Sequence, residues 1–362
     1  MKWHQFGLMA VLACIFFGGR PASAQQAGAT PAPPAGMHAP DPCEVRLMIS
    51  GIPCDIATQS NVDGLPLQAK WSEGDFAGIE RQMMAWCDDK QRYPDGRSKM
   101  MAFTNAFRLQ FTSWQEWDKE RDKLARWHAA APDSLAESLV EAMYWRDYAW
   151  KARGGGYAST VPKEAWELFG VRMAMASASL QRSAAQAHAC PLWYDLTLQT
   201  MLESGQDLLK IEAVYDQAIA IFPASLDIRF AMANVYTERW GGSAQDYERF
   251  ALRATAQTSQ FEGRGMYARL YWLQDCNCST ALQFTAYSRP QWRALKAGFE
   301  DLLKHYPGDL GTENKYASLA CRANDRETYL KLRKQLGKAI YGDQWPSSYS
   351  VDVCDRRFST PA

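Results

Sequence analysis

One short stretch of the chain gathers the residue types that could bind a ligand. Arg153 precedes a run of three glycines and is followed by Tyr157 and Ser159. A guanidinium beside backbone amides is suited to a carboxylate or another anion, since it donates hydrogen bonds in pairs. The candidate ligand-binding residues are Trp150, Arg153, Gly154, Gly155, Gly156, Tyr157 and Trp240.

The same stretch also has a purely structural interpretation, which we favour. Three successive glycines are poor helix formers, so the helix before them must end there. The glycines allow a left-handed exit, and Arg153 would donate to the carbonyl groups that the helix end leaves free.

The sequence offers no recognisable catalytic constellation. His128, His188 and His305 are scattered, each near the expected end of a helix, as is typical of a cation beside a helix C-terminus. A general base also needs a positioned partner. The serine-hydrolase, zinc-protease and phosphate-loop motifs are missing from the sequence. We therefore predict no catalytic residue, no metal site and no cofactor.

Paired glutamates and tryptophans are two further residue classes that could form a site. The pairs Glu137–Glu141 and Glu164–Glu167 have helical spacing beside basic residues, which predicts solvated helix faces. The chain has 14 tryptophans, and most fall on apolar helix faces. That favours core packing, although an aromatic groove for a peptide or glycan is the alternative.

The cysteines indicate disulfides. An exported chain without Cys14 would keep an even set, which favours pairing in an oxidising compartment. Eight cysteines allow 105 pairings, and the sequence cannot choose among them. The candidate pairs are Cys43 with Cys54 and Cys276 or Cys278 with Cys321, and Cys354 is a candidate for joining the tail to the fold. The Cys276–Cys278 spacing lacks the second ligand pair that zinc would require.

The N-terminus predicts export. Residues 1–24 have a cationic start, a short apolar stretch and an Ala22-Ser23-Ala24 cleavage site. The segment Val11–Cys14 loosely resembles a lipoprotein box, but the apolar run continues past Cys14, so we prefer the secretory signal. We expect a soluble periplasmic or secreted protein of a Gram-negative cell.

Lys+Arg and Asp+Glu are both 40, which argues against nucleic acid and anionic membranes as partners.

The rest of the chain predicts an all-α, irregular α-hairpin solenoid of tetratricopeptide type. Residues 25–42 are rich in Ala, Pro and Gly and predict a disordered linker. Residues 43–67, whose short apolar runs are interrupted by Gly51, Pro53, Gly64 and Pro66, predict an irregular, disulfide-containing loop or hairpin. Residues 68–341 predict the helical-repeat domain, and 342–362 a polar tail. Tyr215, Ala218 and Pro223 fit the second helix of a tetratricopeptide unit, and the segment 299–307 echoes it.

The run from Ala149 to Val161 resembles the hallmark of an uncharacterised bacterial family, the domain of unknown function four-zero-three-four. The likeness consists of an aromatic, Arg-Gly-x-Gly, a second aromatic and a Thr-Val start to a helix carrying Trp166 and Phe169. The segment Arg239-Trp240-Gly241-Gly242 is similar to it, and the resemblance covers roughly residues 70–260. It implies a helical, tetratricopeptide-like fold and brings no activity.

These observations favour an exported, non-catalytic helical-repeat protein that binds a protein or peptide. The alternative is an envelope enzyme or ligand-binding protein for cell-wall or carbohydrate material. In that case Arg153, Tyr157 and Trp240 would line a deep cleft with acidic side chains pointing into it.

Overall fold

The computed structural model describes residues 41–88, 91–113, 116–277, 282, 284 and 290–359. The predicted signal peptide and the linker up to residue 40 lie outside these residues, as does Cys278. The side chains of residues 109–113, 276 and 277 are also outside the description.

The described chain is all-helical, as predicted. Its α-helices are α1 (Pro42–Ser50), α2 (Ile56–Glu73), α3 (Phe76–Cys87), α4 (Met100–Ser113), α5 (Trp117–Ala130), α6 (Leu135–Arg153), α7 (Lys163–Arg182), α8 (Pro191–Glu203), α9 (Leu208–Ile221), α10 (Leu226–Val235), α11 (Ala244–Glu262), α12 (Gly265–Asn277), α13 (Trp292–His305), α14 (Leu310–Arg322), α15 (Arg326–Leu336) and α16 (Val351–Ser359). Short 3-10 turns lie at Ala158–Thr160, Ala184–Ala189, Glu238–Trp240, Gly342–Gln344 and Ser347–Tyr349.

The helices stack as hairpins in a solenoid-like array. From α2 to α12 the even-numbered helices contact one another in succession and form one layer. The predicted repeat signature is confirmed in α9 and α13. Ile211, Tyr215 and Ala218 are buried in α9, and Leu295, Phe299 and Leu302 occupy the same spacing in α13.

The segment 43–67, predicted to be irregular, is helical instead. Asp41 and Asp55 cap α1 and α2 through side-chain bonds to the amides of Cys43 and Thr58. Gly64, which suggested a break, lies inside α2 where that helix meets α4. A Cβ there would stand 2.9 Å from the Ala102 carbonyl oxygen, so glycine permits the close approach.

The two ends of the array meet. The Tyr341 hydroxyl donates to the carbonyl oxygens of Pro53 (3.2 Å) and Cys54 (3.4 Å). The Arg46 guanidinium lies 5.7 Å from the Tyr341 ring centroid. Because these contacts join α1 and α2 to the segment after α15, the solenoid closes on itself.

Among the described residues, three disulfides tie this arrangement together, of which Cys43–Cys54 was a predicted candidate. Cys321 pairs with Cys354 of α16, so the expected bond from Cys276 or Cys278 to Cys321 is wrong. The tail from residue 342 thus includes a helix, α16, and is joined to α14 by the Cys321–Cys354 bond. The third bond, Cys87–Cys190, was not predicted; it joins the end of α3 to the start of α8 across 103 residues.

Candidate functional site

The glycine stretch after α6 is exposed, and the Arg153 side chain binds its backbone. Arg153 Nη1 donates to the carbonyl oxygens of Gly154 (2.9 Å) and Gly156 (3.0 Å). Gly154 adopts φ 72° and ψ −179°, a conformation open almost only to glycine. Arg153 is only 6% exposed, whereas Tyr157 is 50% exposed. The arginine thus binds freed carbonyl groups, as the structural interpretation predicts.

Five side chains, three of which belong to predicted site residues, come together near this loop. The Arg153 guanidinium lies 5.3 Å from the Trp150 ring centroid and 5.0 Å from that of Trp166. Arg239, from the turn after α10, lies 6.0 Å from Trp150 and 5.5 Å from Trp240. The structure therefore places two arginines within 6.0 Å of the Trp150 ring centroid, of which only Arg153 was a predicted site residue.

A separate pocket lies within the layer of even-numbered helices. It is lined by the segment 91–98 and by α4, α8, α10 and α12, through Asp95, Arg97, Met100, Met101, Thr104, Pro191, Leu192, Asp195, Asp227, Phe230, Arg269, Trp272 and Leu273. Because α4 and α12 face the same space, the layer curves around it. None of the predicted site residues lines this pocket. The alternative function, which placed Arg153, Tyr157 and Trp240 around an acidic cleft, does not describe this pocket.

The two basic residues of the pocket already have acidic or carbonyl partners. Arg97 binds the Asp95 carboxylate. Arg269 donates to Glu262 at 2.9 Å and to the Asp95 carbonyl oxygen at 2.5 Å. These bonds hold the segment 91–98 against α12 and form one side of the pocket.

Asp195 is a buried carboxylate in the wall of the pocket. It is 7% exposed, accepts one hydrogen bond from Gln199 at 2.7 Å, and forms no ion pair in the described part of the chain. Burial raises the pKa of Asp195 to about 6, and Arg146 and Arg108 only partly oppose this.

A buried charged network continues from Asp195 toward Trp150. Arg146 holds Glu203 with two bonds, of 2.5 and 2.7 Å. Asp147 has an oxygen that is buried without a hydrogen-bond partner in the described structure. Burial raises the pKa of Asp147 to about 6, despite the nearby charges of Arg108 and Arg146. The charge of Glu203 also attracts Arg239. The network therefore links the pocket to the two arginines beside Trp150, Arg153 and Arg239.

No protein-family model, curated protein or solved structure matches this chain. The resemblance to the domain of unknown function four-zero-three-four therefore stays a prediction, and function must be argued from the geometry alone.

The acidic pairs divide into one wrong prediction and one confirmed one. Glu137 is fully buried, and Arg182 bridges it to Glu141 with contacts of 3.1 and 2.6 Å, so this pair is not a solvated face. The Glu137–Glu141 pair lies between α6 and α7, where Arg182 compensates the charges of the two carboxylates. Glu164 and Glu167 are exposed, as predicted.

The remaining predictions concern histidines, metals and membranes. His128 and His305 lie in the last turns of α5 and α13, and His188 in the last turn of the 3-10 segment before α8. Among the residues described, no group of three or more His, Cys, Asp or Glu is placed to hold a metal ion. No helix in the described ranges is long and apolar enough to cross a membrane.

Sequence reasoning missed the network residues, although a signal for them exists. Arg146 and Asp147 interrupt the aromatic run of α6, and Asp195 stands between Tyr194 and Leu196 in an apolar part of α8. A charge in a predominantly apolar helix segment needs a polar partner where that segment is buried. Such residues are therefore candidates for buried networks.

Proposed function

We propose that this protein binds a peptide or protein segment on the inner face of its solenoid, with one basic side chain inserted into the pocket. The observation that carries the proposal is the pocket itself, which combines apolar walls with the Asp195 carboxylate, a buried group that forms no ion pair in the described part of the chain. Helical-repeat arrays use their curved surfaces for extended ligands.

The size of the pocket supports a side chain as its occupant. Its volume is about 110 Å³, well below the roughly 300–1,000 Å³ typical of sites for whole small molecules. Met100, Met101 and Phe230 provide an apolar sleeve suited to a methylene chain.

The charge of the pocket supports a cationic end on that side chain. Arg97 and Arg269 form ion pairs, whereas Asp195 accepts a hydrogen bond from the Gln199 amide and has no ion-pair partner among the described residues. Arg146 and Arg108 only partly offset the burial of Asp195, so a lysine or arginine that forms an ion pair with it would recover part of the remaining cost of burying the carboxylate.

The experiment is selection from a random peptide library on the purified protein, followed by affinity measurement of enriched peptides. We expect enrichment of one basic residue among apolar neighbours, and at least a tenfold loss of affinity on its replacement by norleucine. Asp195→Asn should remove the preference for the basic residue, and Phe230→Ala should weaken binding.

Phe261→Ala is the matched control for Phe230→Ala, because Phe261 is 38% exposed and does not line the pocket. Peptide binding unaffected by both pocket variants, or a library with no enrichment, would contradict the proposal. Turnover of a peptide or glycan by the purified protein would favour the enzymatic alternative.

A further inference from the structure

Two arginines share the Trp150 indole without a carboxylate between them. Arg153 and Arg239 both lie within 6.0 Å of the Trp150 centroid, and neither forms an ion pair in the described part of the chain. Their like charges repel, and burial lowers the pKa of each guanidinium. Cation–π contact with the indole compensates this only in part.

Several hydrogen-bond donors of Arg153, Arg239 and Trp150 have no acceptor among the described residues. Both bonds of Arg153 to Gly154 and Gly156 come from Nη1, so its Nε and Nη2 have no partner among the described residues. The Arg239 guanidinium has none there either, and its Nε is buried. The Trp150 Nε1 is also buried without an acceptor. Each buried, unsatisfied donor costs about 1–3 kcal/mol.

The acidic side chain whose charge acts on Arg239 already has another partner. Glu203 exerts an attraction on Arg239, but both of its carboxylate oxygens accept hydrogen bonds from Arg146. Among the described residues, neither arginine therefore has an ion-pair partner, and the Arg153 Nε and Nη2 groups and the Arg239 guanidinium have no hydrogen-bond acceptor.

We propose that Arg153 and Arg239 bind an oxyanion, a carboxylate or a phosphate, beside the Trp150 indole. An oxyanion has the charge and the acceptors that this site lacks, and guanidinium forks bind both groups in bidentate fashion. The exposed glycine stretch borders the site, so its backbone puts no side chain in the path of a ligand. The site shares no lining residue with the inner pocket and does not depend on the proposed function.

The test is isothermal titration of the full chain with inorganic phosphate, sulfate and acetate at constant ionic strength in chloride. We expect saturable binding of at least one anion and a matching rise in Tm. Preference for phosphate would identify a phosphoryl ligand, and preference for acetate a carboxylate ligand; either supports the proposal.

Arg239→Gln should lower the affinity at least tenfold, with partial recovery in Arg239→Lys. Without anion, Arg239→Gln should fold with unchanged or raised Tm, because it removes a repelling charge. Arg264→Gln, which removes an exposed arginine elsewhere, should bind as the wild type does. Absence of saturable binding, or equal affinity in Arg239→Gln, would overturn the assignment.

Discussion

Arg269 donates a 2.5 Å hydrogen bond to the carbonyl oxygen of Asp95, a residue 174 positions earlier in the chain. The same guanidinium binds Glu262, and both side chains of that ion pair are almost fully buried. One arginine thus compensates a buried carboxylate and also holds the segment 91–98 across the inner face. The shape of the pocket depends on both contacts.

Arg269→Gln should therefore lower the free energy of unfolding by about 3–5 kcal/mol, because it leaves Glu262 buried and unpaired. Urea unfolding followed by circular dichroism measures this. Arg264→Gln is the matched control, since the Arg264–Asp301 pair has an arginine side chain 59% exposed. It should cost at most about 1 kcal/mol. Similar losses in the two variants would show that burial does not decide the effect.

The Cys87–Cys190 disulfide should stabilise the fold more than Cys43–Cys54. The two bonds close segments with separations of 103 and 11 residues. In the chain-entropy description, this difference corresponds to about 2 kcal/mol. We expect Cys87→Ala/Cys190→Ala to lower Tm clearly more than Cys43→Ala/Cys54→Ala, with peptide mapping under non-reducing conditions confirming the bonds. The reverse order would mean that local strain or packing outweighs loop entropy.

Tyr341→Phe tests the closure of the array. The variant removes the hydroxyl that donates to Pro53 and Cys54 while keeping the ring beside Arg46. Loss of the bond should cost about 0.5–1.5 kcal/mol, and hydrogen exchange should increase in α1 and the start of α2. Tyr157→Phe is the control, because its side chain is half-exposed at the glycine stretch. Unchanged exchange in α1 would contradict a role of Tyr341 in holding the N-terminal segment.

Local patterns predicted the helices well and the site poorly, for a physical reason. The buried stripe of Ile211, Tyr215 and Ala218 follows from helical spacing alone. Arg239 meets Trp150 only because two distant turns are brought together by the stacking of helices. The Cys87–Cys190 bond likewise depends on tertiary geometry, since sequence cannot choose among possible pairings.

At Gly64 the local propensity was read correctly, but tertiary packing outweighs it and the residue is helical. Glycine is a poor helix former, and the sequence therefore indicated a break before the repeat domain. In the structure, the missing Cβ lets α2 approach α4 beside Ala102 and Ala106. Packing between the helices stabilises a segment whose own preference for helix is weak.

Gly154→Ala tests the conformation that ends α6. Gly154 has φ 72° with an extended ψ, so an alanine there should cost about 1–3 kcal/mol. Gly155→Ala is the matched control, since Gly155 lacks a positive φ and a Cβ would meet open space. Its stability should be unchanged or slightly raised. Thermal unfolding of both variants decides the point, and an equal effect would show that the φ of Gly154 is not the constraint.

Asp195→Asn should stabilise the protein in a pH-dependent way. The pKa of Asp195 is raised from 3.8 to about 6 by burial, so its protonated form favours the fold. That contribution is fully present below pH 4 and is lost as pH rises through about 6, up to about 3 kcal/mol. Asparagine imitates the protonated group and can keep a hydrogen bond to Gln199.

The variant should therefore match the wild type near pH 4 and exceed its unfolding free energy at pH 8. Unfolding in urea across this range gives the difference directly. Asp118→Asn, whose side chain is 80% exposed, removes one negative charge without relieving burial and should not show the gain at pH 8. If the difference between Asp195→Asn and wild type stays constant with pH, Asp195 is compensated in solution. The pocket would then lack the unmatched carboxylate on which recognition of a basic side chain depends.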